Sequence, residues 1–281
     1  MTFSENKYNI VSKYNCRVKT YPDGTQVVLV CDKAIFNPER LEDTDSAAVS
    51  LTALCDDKPK EQSAVQERSL RRAKQMLKDY ILCNDFTHFV TFTIDGSCCD
   101  RSDYGAIIKP LNKWLDNRVQ RKGLKYLFVP EYHKDGKSIH FHGLVNGEAV
   151  TLADSGTVSV QGLKKPVKVA TYKRRYADRE CHTVYNVTDW KYGFSTAIAL
   201  YGDRNAVAAY VGKYLEKDLQ KIGGRLYLHS NNLALPDVAY MHTDFSEFEG
   251  EPFNFNDVNI WWKYAKITQN MVENEKNCTI S

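Results

Sequence analysis

The chain of 281 residues contains no run of about 18 apolar residues, so no part of it reads as a transmembrane helix. Its opening stretch, MTFSENKYNIVSKYN, lacks a basic start followed by an apolar segment, and no secretory signal is expected. The eight cysteines (Cys16, Cys31, Cys55, Cys83, Cys98, Cys99, Cys181 and Cys278) form no Cys-x-x-Cys pair, which argues against a zinc ribbon. Reduced thiols are then the expectation, with Cys98 and Cys99 acting as small buried hydrophobes. Also absent is Gly-x-x-x-x-Gly-Lys-Ser/Thr, the loop that cradles nucleoside triphosphates. Neither sign of charge dominates: 38 Lys and Arg stand against 35 Asp and Glu, so the total charge does not dictate a polyanionic partner. No internal repeat is evident.

What is present is an ordinary globular composition, 43% hydrophobic and 26% charged, at a length that allows one large domain or two small ones. The placement of charge is more informative than its sum. Lys164, Lys165, Lys168, Lys173, Arg174, Arg175 and Arg179 fall in one segment with a single acid, Asp178. Five acids and no Lys or Arg occupy residues 244–257. A basic segment in a chain of balanced charge fits a local polyanion site or a solvated loop.

Residues 8–20 and 25–33 alternate as two strands around Asp23-Gly24, a hairpin signal. Residues 36–63 are polar and read as a linker. In 64–83, Leu70, Ala73, Met76, Leu77, Tyr80 and Ile81 recur at helical spacing, opposite Arg68, Arg71, Arg72 and Lys78. Residues 87–94 (THFVTFTI) read as a central strand. A helix is expected over 103–120, a hairpin over 124–133 and 138–146, and a partly basic insertion over 147–180. Strands are expected at 182–190, 194–201 and 224–229, and a helix at 203–219 capped by Asp203 or Asn205. The pattern predicts an α+β fold: a central antiparallel β-sheet flanked by helices, with an N-terminal β-hairpin extension. The division expected is 1–35 for the hairpin, 36–63 for the linker, 64–230 for the catalytic domain and 231–281 for a C-terminal extension.

The densest chemical signal is Glu131-Tyr-His-Lys-Asp-Gly-Lys-Ser-Ile-His140-Phe-His142. Side chains two apart on a strand share a face, so His140 and His142 project together. With Asp135-Gly136 as the turn, Glu131 falls opposite His140 and Val129 opposite His142. Two imidazoles and a carboxylate then converge, an open set suited to catalysis. A half-exposed histidine pair is the plainer alternative. His133 lies on the same face nearer the turn, as an orienting group or simply exposed. The mixed nitrogen and oxygen donors admit several divalent metals.

In the helix 203–219, Tyr210 and Tyr214 lie roughly 40° apart on the helical wheel. Val207, Val211 and Leu215 form the adjacent apolar stripe, with Lys213 and Lys217 on the far flank. The tyrosines are either half-buried core edges or nucleophiles. A phenol attacks poorly at neutral pH, but a cation on a phosphate oxygen, with Lys213 assisting, would stabilise the charge that develops.

These motifs resemble the HUH endonuclease superfamily, in particular the rolling-circle replication initiators (Rep proteins) of phages and plasmids. Phe89-Val-Thr-Phe-Thr93 resembles the first Rep motif, the histidine segment the second, and Tyr210-Val-Gly-Lys213-Tyr214 the third in its two-tyrosine form. Trp190-Lys-Tyr-Gly193-Phe is similar to what precedes that helix in phage members. The resemblance implies that His140, His142 and Glu131 hold Mg²⁺ or Mn²⁺ at the scissile phosphate. It further implies that a tyrosine attacks single-stranded origin DNA, leaving a 5′-phosphotyrosine and a 3′-OH that primes synthesis. Tyr210 and Tyr214 would alternate; in a one-tyrosine member Tyr210 would be the nucleophile and Tyr214 structural. A host helicase and DNA polymerase are the implied partners, in the cytoplasm of a bacterial or phage-infected cell, with no membrane. Lys164, Lys165, Lys168, Lys173, Arg174, Arg175 and Lys217 are expected to contact the DNA backbone, as are Arg68, Arg71 and Arg72, while Tyr172 and Tyr176 would stack on bases. A single-strand transposase or a mobilisation relaxase would share the chemistry, although relaxases usually carry the tyrosine ahead of the histidines. A non-catalytic metal-binding nucleic-acid module is the remaining alternative.

Overall fold

The computed structural model describes residues 13–36, 62–217, 222–242, 253–255 and 258–266. It divides into two compact units, one from residues 60–234 and one combining the two ends of the chain.

The first unit is built on an eight-stranded, wholly antiparallel sheet. Its strands are β3 (His88–Ile94), β4 (Tyr126–Tyr132), β5 (Ile139–Val145), β6 (Leu152–Val160), β7 (Val167–Lys168), β8 (Cys181–Val187), β9 (Gly193–Ala199) and β10 (Leu228–His229). They lie in the order β10-β4-β5-β3-β9-β8-β6-β7. Strands β3 and β5, each bracketed by hydrogen-bonded neighbours, alternate apolar residues on one face with polar and aromatic residues on the other. Val90, Phe92, Ile94 and Phe141 point to the first face and are sealed from water. Helix α2 (Tyr104–Lys122) covers that face. Its Ile107, Leu111, Trp114 and Leu115 recur at helical spacing and are buried, each contributing about 1.5–3 kcal/mol. Asp103 caps the helix, accepting a hydrogen bond from the Gly105 N–H at 2.8 Å, and Pro110 is carried within it.

The other face is partly covered by α1 (Gln62–Cys83) and α4 (Arg204–Lys217). Ala73, Leu77, Tyr80 and Ile81 of α1 and Ala208, Val211 and Leu215 of α4 pack on Leu127, Val129 and Leu144. Asp203 caps α4, accepting from the Asn205 N–H at 3.1 Å. The arginines Arg68, Arg71 and Arg72 stay on the exposed side of α1.

Four local expectations change. The insertion 147–180 contains a regular strand, β6, and a helix, α3 (Val169–Arg175), so the basic segment is ordered chain rather than a loop. The strand expected over 224–229 shrinks to two residues, because the chain turns back between Ile222 and Arg225 before it reaches the sheet edge. Residues 188–192 leave the sheet between β8 and β9, with Trp190 buried against Phe92 at a ring separation of 4.5 Å. Cys98 is exposed and Cys99 half-buried, because the pair sits in the turn after β3 and not in the strand.

The second unit holds the N-terminal hairpin, β1 (Lys13–Thr20) and β2 (Thr25–Phe36). It is joined by β11 (Asp237–Met241), β12 (Phe253–Phe255) and β13 (Val258–Lys266). Their order is β11-β1-β2-β13-β12, so strands from both ends of the chain share one antiparallel sheet. Val18, Val28 and Val30 with Cys16 form its small core. Residues 8–12 of the expected first strand, residues 37–61 of the linker and residues 244–252 of the acidic stretch lie outside the described residues. Among the described residues, no helix is long and apolar enough to cross a membrane.

Gly143 is where the sheet approaches itself most closely. A Cβ there would lie 1.9 Å from the Leu127 carbonyl oxygen and 2.7 Å from Phe128 Cα. Neither neighbour is the flexible end of a side chain, so Gly143→Ala is expected to cost about 3 kcal/mol or more. The check is a lower urea midpoint at unchanged slope.

Candidate active site

The hairpin of β4 and β5 has the register that a turn at Asp135-Gly136 dictates: Glu131 pairs with His140 and Val129 with His142. The turn is set by Asp135, whose carboxylate accepts from the N–H groups of Lys137 and Ser138 and from the Ser138 hydroxyl. The Ser138 hydroxyl, then these two N–H groups, hold the Asp135 carboxyl well below the usual carboxylate range. Gly136 takes φ +67°, the left-handed region that favours glycine.

His140 and His142 lie with their rings nearly parallel, 6.1 Å between centroids. Strand β3 supplies their support. Thr91 pairs with His142 and Thr93 with His140 across the ladder. Each threonine hydroxyl meets Nδ1 of its histidine, at 3.0 Å for His142 and 2.8 Å for His140. These contacts hold the two rings and direct Nε2 of each imidazole away from β3. Glu131 Oε2 lies 2.9 Å from Nε2 of His142. His133 stacks on His140 at 4.8 Å. Burial first, then the neighbouring His133, lowers the pKa of His140, which favours the neutral imidazole that a metal ligand requires.

The donor set suits a divalent cation: two imidazoles held at Nδ1, so that Nε2 is the nitrogen each would offer, and one carboxylate in the same patch. Among the described residues, however, no three such donors meet at a common point, since the Glu131 carboxylate bonds to His142.

Helix α4 brings the tyrosines over the histidines. The Tyr214 ring stacks on His142 at 4.7 Å and 19°. Phe89 of β3 packs against both Tyr210, at 5.3 Å, and Tyr214, at 5.9 Å. The two phenol oxygens are 2.9 Å apart. They differ in surroundings: Tyr210 is 48% exposed, whereas Tyr214 is half-buried. Burial first, then the hydrogen bond with Tyr210, raises the pKa of Tyr214 far above the tyrosine norm.

The structure thus brings together His140, His142, Glu131, Tyr210 and Tyr214. Lys213 is exposed on α4, where it acts on Glu216, which is paired with Lys74. Lys217 ends the helix, and its side chain lies outside the described residues. The basic segment is elsewhere. Lys164 and Lys165 precede β7, Lys168 is in it, and Lys173, Arg174 and Arg175 form the last turn of α3. All six are exposed at the sheet edge, five strands from β5, or about 24 Å. Tyr172 and Tyr176 are half-buried there: the Tyr172 hydroxyl donates to the Arg179 carbonyl, and the Arg179 guanidinium lies over Tyr176. The supporting residues Thr91, Thr93 and Phe89 received no individual role from the sequence. The signal was there, Thr-x-Thr facing His-x-His, but reading it requires knowing that β3 pairs with β5.

Thr93→Val keeps the shape of the side chain and removes its hydroxyl. The His140 Nδ1 resonance in long-range ¹H–¹⁵N spectra is expected to shift, with the thermal midpoint moving by only a few degrees. An unmoved resonance would mean that the hydroxyl does not hold the ring.

Residues 87–219, just under half of the chain, match a family model described as replication-associated protein, ORF2/gene-2 protein. No curated protein and no solved structure matches the chain. The matched segment runs from β3 through the end of α4 and so contains every residue of the histidine–tyrosine patch. The match supports a rolling-circle replication initiator that binds DNA at an origin.

Proposed function

We propose that this protein starts rolling-circle replication by nicking single-stranded origin DNA through a tyrosine and rejoining strands by the reverse transfer. The observation that carries this reading is the Tyr214 ring on His142, with the Tyr210 hydroxyl 2.9 Å from that of Tyr214. A histidine pair and a tyrosine pair from distant parts of the chain share one patch, beside a carboxylate.

His140, His142 and Glu131 would hold the divalent cation, Mg²⁺ or Mn²⁺. When bound, it would neutralise charge on the scissile phosphate. Tyr210, the exposed phenol, is the first nucleophile. Its oxygen bonds to phosphorus as the bond from phosphorus to the 3′ oxygen breaks. The 5′ end stays on the tyrosine as a phosphodiester, and the departing 3′ oxygen takes up a proton to become the primer hydroxyl. The raised pKa of Tyr214 keeps it protonated at neutral pH, so it can donate its hydrogen bond to the Tyr210 oxygen as that oxygen loses its own proton. Once Tyr210 is esterified, Tyr214, one helical turn on, takes the next transfer. Lys213 adds positive charge on the same helix. A host helicase and DNA polymerase would separate and copy the strands.

The test is a denaturing-gel assay for a covalent adduct with a pool of single-stranded oligonucleotides and Mn²⁺, with and without chelator. Tyr210→Phe is expected to lower first-adduct formation by about 10³-fold or more. Tyr214→Phe should lower it by only about 10-fold, the loss of one hydrogen bond. His140→Ala and His142→Ala should abolish both the adduct and calorimetric Mn²⁺ binding. An adduct formed by the Tyr210→Phe, Tyr214→Phe double variant would refute the mechanism. No adduct from the wild type, with Mn²⁺ still bound, would favour a non-catalytic module.

A further inference from the structure

The face of the eight-stranded sheet that carries the histidines is not wholly covered. Helices α1 and α4 pack over Leu127, Leu144 and Phe89, while the stretch of the same face along β9 is open. In register, Phe194 of β9 pairs with Thr93, which pairs with His140. Directly paired residues of an antiparallel ladder share a face. Glu131, His140, Thr93 and Phe194 therefore form one row across four strands, with Phe194 about 10 Å from His140. Thr196, next on that face of β9, is exposed, and Ile198 is half-buried.

Phe194 is 71% exposed, the highest value among the exposed large hydrophobics. Two other exposed aromatics in this unit have partners. Tyr201 is 62% exposed but lies flat on His182 at 3.7 Å, and Tyr210 shares its hydroxyl with Tyr214. A phenyl ring has no polar group to satisfy in water, and only an apolar or π surface would remove it from solvent. Its position also limits the occupant. It stands beside the histidine row on the side away from α4, and Arg101 acts electrostatically on both His140 and Asp95 at that end of the sheet. A nucleotide whose phosphate sat at the histidines would extend its base, or its neighbour's, over β9.

We infer that Phe194 is a base-stacking platform for single-stranded nucleic acid at the end of the histidine row. The inference rests on the nicking reading and names the contact that would hold the strand in place there. A base in a duplex is already stacked on its neighbours, so an open phenyl face selects unpaired bases. Such stacking also tolerates any base, because every base has a π face.

The experiment measures binding of the full-length protein to a fluorescein-labelled random-sequence single-stranded 30-mer by anisotropy, at several salt concentrations and without metal. Phe194→Ala is expected to weaken binding about 5- to 100-fold. Phe194→Trp should preserve it, and Phe194→Leu, apolar but not aromatic, should behave like Ala. The slope of log affinity against log salt should be unchanged, because Phe194 neutralises no phosphate. Circular dichroism and thermal melting would confirm folding of each variant, which the exposure of the ring favours. Unchanged affinity in Phe194→Ala would overturn the inference, as would a Leu variant that binds like wild type. Adduct formation by the wild type decides the nicking reading independently. A protein that forms the adduct but binds DNA equally well without the phenyl ring would refute the platform alone. One that forms no adduct yet loses affinity in Phe194→Ala would refute nicking alone.

Discussion

The pleat of three adjacent strands, β4, β5 and β3, sets the geometry on which the candidate site depends. Side chains alternate between faces with a period of two, so a register shift of one residue would turn His140 and His142 into the apolar core and bring Phe141 out. Phe92, Phe128 and Phe141, all fully buried beneath α2, oppose that shift. Exposing even one of them would cost several times what a histidine–threonine hydrogen bond contributes, about 1 kcal/mol. The core thus dictates where the histidines point, and the hydroxyls of Thr91 and Thr93 only refine how the rings are turned. Gly143 belongs to the same constraint, since its missing side chain lets β4 lie close against β5.

The tyrosines are placed by a different part of the energy. The stacks of Tyr214 on His142 and of Phe89 on both tyrosines contribute about 0.5–1.5 kcal/mol each. Full burial of Val211 and Leu215 contributes about 1.5–3 kcal/mol each. The aliphatic stripe therefore fixes the rotation of α4, and the phenols fall at its border. That border produces the asymmetry between them. Tyr214, nearer the apolar side, loses water and keeps its proton, while Tyr210 remains open to a substrate. Two residues of one chemical type are thereby given different properties by a helical turn.

Much of this was legible in the sequence where the information is local. Asp135-Gly136 between two alternating segments was enough to pair Glu131 with His140, because a tight turn propagates its register along both strands. The apolar spacing in 64–83 was enough for α1, and Asp203 for the start of α4. The α2 stripe of Ile107, Leu111, Trp114 and Leu115 outweighed Pro110, which the helix accommodates. Less legible was the basic segment. Its charges were plain, but its place at the β7 edge, five strands from the histidines, follows from sheet order, which no local pattern encodes. The hairpin at the start of the chain was readable, whereas its pairing with β11 and β13, more than 200 residues away, was not.

Taken alone, the sequence determined which chemistry is available: two imidazoles on one strand face, a carboxylate opposite, and two phenols one turn apart. Each is set by spacing within an element, where backbone geometry leaves little freedom. The tertiary structure decided which of these groups meet. Packing of α4 on the sheet puts Tyr214 on His142, pairing of β3 with β5 gives each histidine its threonine, and pairing of β3 with β9 brings Phe194 into the histidine row. Such contacts join segments far apart in the chain. They exist only because burying the apolar faces of β3, β5, α1, α2 and α4 leaves one arrangement that satisfies all of them.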